Sequence, residues 1–410
     1  MRDMRNNRRP ALLLFGMLWV AAIACAAQQI APPTPQRVDL HSKILNEDRV
    51  IWVRTPPGYQ QSKELYPVVY LTDAPEDVNE IGSLIDFLVD NRSLPPLLVV
   101  GIANTDRRRD LTPSQADVKN PDGTVTRYTS GAADKFLDFI QTELMPEIEG
   151  RYRTAPYRIF VGHSLGGLLA IHTLSSRPDL FSAYIAVSPS LHWDSGRTLH
   201  QAQRFFAEHS ELKKTLFFSL ANEDATPNPM GEYFEQLRKT LTSGAPKGLV
   251  WESARYPDED HNSTVLRAHY AGLRSVFSDW QVVIDGNTGL LGGSMAAVEQ
   301  HYRDMSERYG YQIRVPENIL NILGYQLMAS KKAKDATAVF ERCVELYPES
   351  ANAYDSLGEG LSAAGMFESA ARNFQKAIEL GVRNSDESLP EFRKHLERVA
   401  AEAKASVTEQ

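Results

Sequence analysis

The stretch 158–171 constrains this chain more than any other. Arg158-Ile159-Phe160-Val161 is a short apolar run of strand type, Leu168-Leu169-Ala170-Ile171 opens an apolar helix, and only Gly162-His163-Ser164-Leu165-Gly166-Gly167 lies between. A strand that becomes a helix within so few residues forces the central residue into strained backbone and exposes its side chain. The flanking glycines are needed because Cβ atoms there would collide. The helix start also directs free N–H groups and positive dipole at the point where an oxyanion would develop. Ser164 is therefore the candidate nucleophile. A glycine-rich turn with an incidental serine is the bland alternative, and the strand–turn–helix context argues against it.

A serine needs a base, and on such an elbow the partners follow in the order Ser, Asp or Glu, His. His261 is the candidate base, because it follows the last strand-like run in the polar loop Pro257-Asp258-Glu259-Asp260-His261-Asn262-Ser263. The acid belongs just after the run 215–220, where Ala221-Asn222-Glu223-Asp224 offers two carboxylates. Asp224 is preferred over Glu223, since its shorter side chain one step further into the loop suits holding His261 in one tautomer. The oxyanion donors are expected to be the backbone N–H of Leu165 and one from the loop Thr72-Asp73-Ala74-Pro75. Pro75 has no N–H, which leaves Ala74 or Glu76, with Ala74 the expected donor. His163 is expected to orient the turn rather than take a proton.

Short β-branched runs alternate with helical patterns up to about residue 280, which indicates a mostly parallel central sheet covered by helices. Strands are expected at 50–54, 67–71, 97–102, 158–161, 183–187, 215–220 and 249–254. Helices are expected at 132–148, 165–176, 230–241 and 265–280. Beyond a Gly-rich linker at 285–293, positions 34 apart become alike: Leu323/Leu357, Gly324/Gly358, Leu327/Leu361, Ala336/Ala370 and Phe340/Phe374. That is the period and pattern of tetratricopeptide repeats. Two units are fewer than a free-standing solenoid needs, so a lead-in helix near 296–309 and support from the preceding domain are expected. The expected organisation is an α/β-hydrolase domain over 37–284, linker and lead-in helix over 285–309, a small all-α repeat domain over 310–390 and a helical tail over 391–410.

The first 27 residues stand apart: Arg2, Arg5, Arg8 and Arg9 precede an apolar run that ends in Ala24-Cys25-Ala26-Ala27. This reads as a secretory signal peptide, too short for a membrane span, and so implies a periplasmic or secreted protein. Cys25 offers the competing reading of a lipid anchor. Cys343 is the only other cysteine, so no intramolecular disulfide is expected in the exported chain. A net charge of -8 supplies no basic field for nucleic acid. No cluster of Cys and His at zinc-ligand spacing is present, and neither metal nor other cofactor is expected.

With these residues placed, the chain resembles the esterase family that includes esterase D, feruloyl esterases and enterochelin (siderophore) esterases, over about residues 37–280. The resemblance is carried by Tyr66-Pro67-Val68-Val69-Tyr70-Leu71 with Asp73, by the elbow, and by Ser188-Pro189-Ser190-Leu191-His192-Trp193. The loop Asn104 to Pro113 and the segment His261 to Leu273 add to it. It implies an α/β-hydrolase fold and a serine carboxylic ester hydrolase acting on small-molecule esters, siderophore-type esters among them. The same acyl-enzyme would serve an acyltransferase, and a repeat-based interaction protein with a relic hydrolase domain is the third reading. Two positions depart from the family pattern: Ala74-Pro75 replaces the glycine of the oxyanion loop, and His192 replaces a tryptophan. Arg107, Arg108 and Arg109, with Arg107 and Arg109 foremost, are candidates to bind an acidic or catecholate substrate, the alternative being a solvated charged loop paired with Asp110, and Trp193 is a candidate to line the acyl pocket. The repeats are candidates to hold a protein partner.

Overall fold

The computed structural model describes residues 33–60, 62–119, 122–223 and 230–408. Residues 1–27, expected to be a signal peptide and including Cys25, and Asp224 lie outside the described residues. Ten strands occur among them: β1 Gln36–Ser42, β2 Glu47–Arg54, β3 Tyr66–Ala74, β4 Leu98–Ala103, β5 Asp117–Lys119, β6 Val125–Arg127, β7 Thr154–His163, β8 Ala183–Val187, β9 Thr215–Ala221 and β10 Val250–Tyr256. Eight of these form one sheet in the order β1-β2-β4-β3-β7-β8-β9-β10. From β4 to β10 all neighbours are parallel, while β1 and β2 add an antiparallel edge. β5 and β6 pair separately as a small antiparallel ribbon.

The central strands are apolar on both faces, as a sheet covered on both sides requires. Along β3, Val68 and Tyr70 face one core while Val69 and Leu71 face the other. The first core is closed by helices α3 Ala133–Phe139, α4 Met145–Arg151, α5 Leu165–Ser176, α6 Arg197–Glu208 and α7 Met230–Gly244, with the short α2 Arg107–Leu111 beside them. The second is closed by α1 Glu76–Asp90 and α8 Thr264–Val276. The helix expected over 132–148 is interrupted: a π-helical turn at Ile140–Leu144 separates α3 from α4, and Pro146 follows. Pro146 has no N–H for the regular ladder, which fits a break at this point. Strand β1, helices α1 and α6 and the β5/β6 ribbon were not anticipated. For α1 the signal was present, since Val78, Ile81, Ile85 and Leu88 recur at helical spacing and are buried.

Six more helices follow: α9 Met295–Tyr309, α10 Glu317–Ala329, α11 Ala333–Leu346, α12 Ala351–Ala363, α13 Phe367–Asn384 and α14 Leu389–Thr408. Gly324 and Gly358 face the rings of Phe340 and Phe374, so that a Cβ on either glycine would fall within 2.5 Å of a ring carbon. The apolar residues of α9 to α12 belong to the same core as α1 and α8, with no polar boundary between them. The junction is aromatic. Tyr309 meets Tyr157 edge-on at 4.9 Å between centroids and lies 5.3 Å from Phe277, and Trp280 meets Tyr302 at 5.9 Å. Tyr157 stands near the start of β7, so α9 is docked at the N-terminal ends of the parallel strands. Arg314 pairs there with Glu64, just ahead of β3.

Phe340 is fully buried and lies against both Gly324 and Gly360. Phe340→Ala is expected to cost about 3–5 kcal/mol of stability, read as a lower urea midpoint, while ester turnover of the folded protein at 25 °C stays unchanged.

Candidate active site

Close packing builds the elbow. A Cβ at Gly162 would lie 2.3 Å from the Gly166 carbonyl, one at Gly166 would lie 2.5 Å from Thr72 Oγ1, and one at Gly167 would touch Pro189 at 3.0 Å. Real side chains cannot occupy such spaces, so strand, helix and β3 meet at this point only through glycine. Ser164 takes φ +59° and ψ −111° at the junction, a left-handed φ that non-glycine residues rarely adopt. Its N–H donates to Val187 O at 2.9 Å, which ties the elbow to β8. Leu165 begins α5, with its N–H among those that have no partner inside the helix.

Ser164 and His261 line one cavity of about 610 Å³, together with Asp73, Asp77, Glu80 and His163. Ser164 also lines a second cavity of about 1050 Å³, which includes Arg108, Tyr128, Ser190, His192 and Trp193. Its hydroxyl shares a hydrogen bond of 3.2 Å with Ser190 Oγ. His261 Nδ1 is hydrogen-bonded to Glu223 Oε1. Asp224, the expected acid, lies outside the described residues; among them the carboxylate that meets His261 belongs to Glu223, whose side chain spans from the end of β9 to the histidine loop. Glu223 is only 2% exposed. Burial opposes its ionised form, but bonds from His261, the Ser188 hydroxyl and the Ala221 N–H prevail and hold its pKa below the ordinary range.

The three arginines of α2 point in different directions, because successive helical residues are about 100° apart. Arg107 faces both cavities, but its guanidinium is bound to Asp73, at 2.5 Å and 3.0 Å, and to the His163 carbonyl at 3.0 Å. Asp73 also accepts from Asn104 at 2.6 Å. Burial works against its charge, yet these donors keep its pKa low. Arg109 turns away from the cavities and binds Glu47 and Asp110, so its expected role in substrate binding is corrected. Arg108 lines the larger cavity. Its guanidinium lies 3.7 Å from the Tyr128 ring centroid and 5.8 Å from that of Trp193, and among the described residues no carboxylate pairs with it. Beneath this loop Arg49, 1% exposed, donates to Asp110 at 2.6 Å and to Ala103 O at 3.1 Å.

Trp193 lines the larger cavity with its indole mostly buried and its Nε1–H donating to Ser114 O at 3.0 Å. His192 lines the same cavity, its pKa is lowered chiefly by burial, and its Nδ1 is buried without a partner. Ala74 is buried at the end of β3, and Pro75 caps α1. Asp77 had not been singled out. It lies in the first turn of α1 facing the smaller cavity, and burial, with Asp73, Glu80 and Glu76 adding to it against His269, pushes its carboxyl up to about 6.

A family model described as "Putative esterase" matches residues 42–234. The chain is 30% identical over 216 residues to ferri-bacillibactin esterase BesA of Bacillus subtilis, covering 49% of this chain and 75% of that relative. The chain belongs to this esterase family. To the siderophore triacetylfusarinine C esterase of Aspergillus fumigatus the esterase is 32% identical over 178 residues, 37% of its own length and 60% of the relative's. Among solved structures it matches an IroE-like serine hydrolase from Shewanella oneidensis with TM-score 0.67 and 33% identity, over 76% of this chain and 99% of that one. The esterase is thus a serine carboxylic ester hydrolase of α/β-hydrolase fold. Among the described residues no helix is long and apolar enough to cross a membrane.

A carboxyl whose pKa is raised in the folded state favours its neutral form there, so its ionisation penalises folding above about pH 6 and ceases to do so below its unfolded value, roughly 3.9. Asp77→Asn is accordingly expected to raise the melting temperature at pH 8 and leave it unchanged at pH 3.5, as followed by calorimetry.

Proposed function

We propose that the esterase works through an acyl-enzyme on Ser164, with His261 as general base and Glu223 as the carboxylate that orients it. The observation that carries this reading is the contact of Glu223 with His261 Nδ1 in the loop that shares a cavity with Ser164. Glu223 fixes Nδ1–H, which leaves Nε2 to accept the serine proton. The Ser164 hydroxyl exchanges Ser190 for His261 and attacks the ester carbonyl, and the N–H groups of Leu165 and Ala74 receive the oxyanion. The alcohol then leaves with the proton carried by His261. A water deprotonated by the same histidine releases the acid.

The substrate we infer is a small-molecule ester of siderophore type. The names of the curated relatives support this, as does a cavity where Arg108, with no carboxylate partner among the described residues, lies against the rings of Tyr128 and Trp193 and suits an anionic or aromatic acid. Export rests on the sequence of residues 1–27. We read α10 to α13 as two tetratricopeptide units, because the 34-residue period places Gly324 with Phe340 and Gly358 with Phe374 in the same contact. Those helices are a surface for a protein partner.

Ser164→Ala is expected to abolish both turnover of short p-nitrophenyl esters and labelling by a fluorophosphonate. Full labelling of that variant would overturn the nucleophile. Glu223→Gln is expected to lower kcat by about 10²–10⁴-fold, whereas Asp224→Ala stays near wild type; the reverse pattern would restore Asp224 as the acid. Arg108→Ala is expected to raise KM for catecholate and feruloyl esters with little change for acetyl esters, as measured across a substrate panel.

A further inference from the structure

His163 stands next to the nucleophile and has no part in the proton transfers above. Its ring meets the base loop: Nε2–H donates to the backbone carbonyl of His261 at 2.8 Å, and the two imidazole rings lie 4.5 Å apart at 44°. We propose that His163 is a positioning residue that fixes the main chain and ring plane of His261 so that its Nε2 is aimed at Ser164. The inference rests on the assignment of Ser164 and His261 as nucleophile and base.

The need for such a device follows from where His261 sits. It belongs to a polar loop between β10 and α8, its side chain is 35% exposed, and α8 begins only at Thr264. The hydrogen bonds inside the loop, from the Asn262 and Ser263 N–H groups to Asp260 Oδ1, fix the turn and not the histidine. Glu223 holds one ring nitrogen. A ring pinned at Nδ1 alone still swings as its backbone shifts, and a displacement of about 1 Å from the attacking geometry costs on the order of 10²-fold in rate. The bond from His163 restricts that freedom, since it ties the His261 carbonyl to the closely packed glycine elbow.

His163 is itself held. Its carbonyl accepts from Arg107, which is bound to Asp73 at the end of β3, so elbow, β3 loop and base loop are joined through one residue. The donor role requires hydrogen on Nε2. Burial, with His261 and Arg107 adding to it against the backbone bond and Asp73, lowers its pKa to about 4. His163 therefore stays neutral when His261 becomes an imidazolium and adds no charge of its own against the protonated base.

The test uses the full-length protein with p-nitrophenyl acetate and three variants: His163→Gln, which keeps an N–H donor, His163→Phe, which keeps a ring face, and His163→Ala. Melting temperatures are measured alongside. The alanine and phenylalanine variants are expected to lose roughly 10–100-fold in kcat with KM within about threefold of wild type, and fluorophosphonate labelling of Ser164 slows in parallel. The glutamine variant recovers most of the rate. A folded His163→Ala with wild-type kcat, or a glutamine variant as slow as the alanine one at equal stability, would overturn the proposal. If alanine and phenylalanine variants fail to fold, the glutamine variant decides, with near wild-type kcat supporting the proposal and a large loss refuting it. Turnover by Ser164→Ala would instead refute the nucleophile, whatever the His163 variants do.

Discussion

The approach of Gly162 to Gly166 is the contact on which the rest of the site depends. Strand β7 and helix α5 come so close that any side chain at either position would collide with backbone or with Thr72, and the strained φ of Ser164 is the consequence of that closure. Strain of this kind costs on the order of 1–3 kcal/mol and persists only where surrounding structure over-determines it. Here α5 is buried almost along its length between the sheet and the outer helices. The core on either side of the sheet therefore stabilises the elbow, and the elbow holds the serine where two cavities meet.

Around that fixed point the site is assembled from the C-terminal ends of neighbouring parallel strands. β3 contributes Asp73, β7 the elbow, β9 Glu223 and the loop after β10 His261. Charges in this crowded region are satisfied locally: Arg107 with Asp73, Arg109 with Glu47 and Asp110, and Arg49 with Asp110 from below. Among the described residues Arg108 and Asp77 have no such ion-pair partner, and they line different cavities, both of which Ser164 also lines. The cleft thus presents a cationic, aromatic wall on one side and an acidic one on the other.

Much of this was legible in the sequence, and the boundary of what was legible has physical causes. Strand–turn–helix chemistry is local, so the elbow and Ser164 could be read directly, and so could the parallel sheet from runs of β-branched residues. His261 could be placed because the fold delivers its histidine after the last strand. The choice between Glu223 and Asp224 could not be read in the same way, since it turns on the reach and direction of side chains at the end of β9. The arginine triplet failed for a related reason. Three like residues in a row carry no hint of which faces the cleft until the phase of α2 and its neighbours Glu47 and Asp73 are known. His163 was understood as part of its own turn, and its bond to a residue 98 positions later has no local signature.

The aromatic junction at Tyr157, Phe277, Trp280 and Tyr309 has a consequence for how such a chain can be altered. It lies at the opposite end of the strands from Ser164, roughly 20 Å away along β7 at ~3.3 Å per residue, so the C-terminal helices form a handle whose docking point is remote from the nucleophile. Yet the handle is not detachable, because its inner face is the continuation of the blade's own interior. An enzyme with this build can acquire a new address by resurfacing the outer helices, but a helix set transplanted to or from it must bring its half of the aromatic seam along.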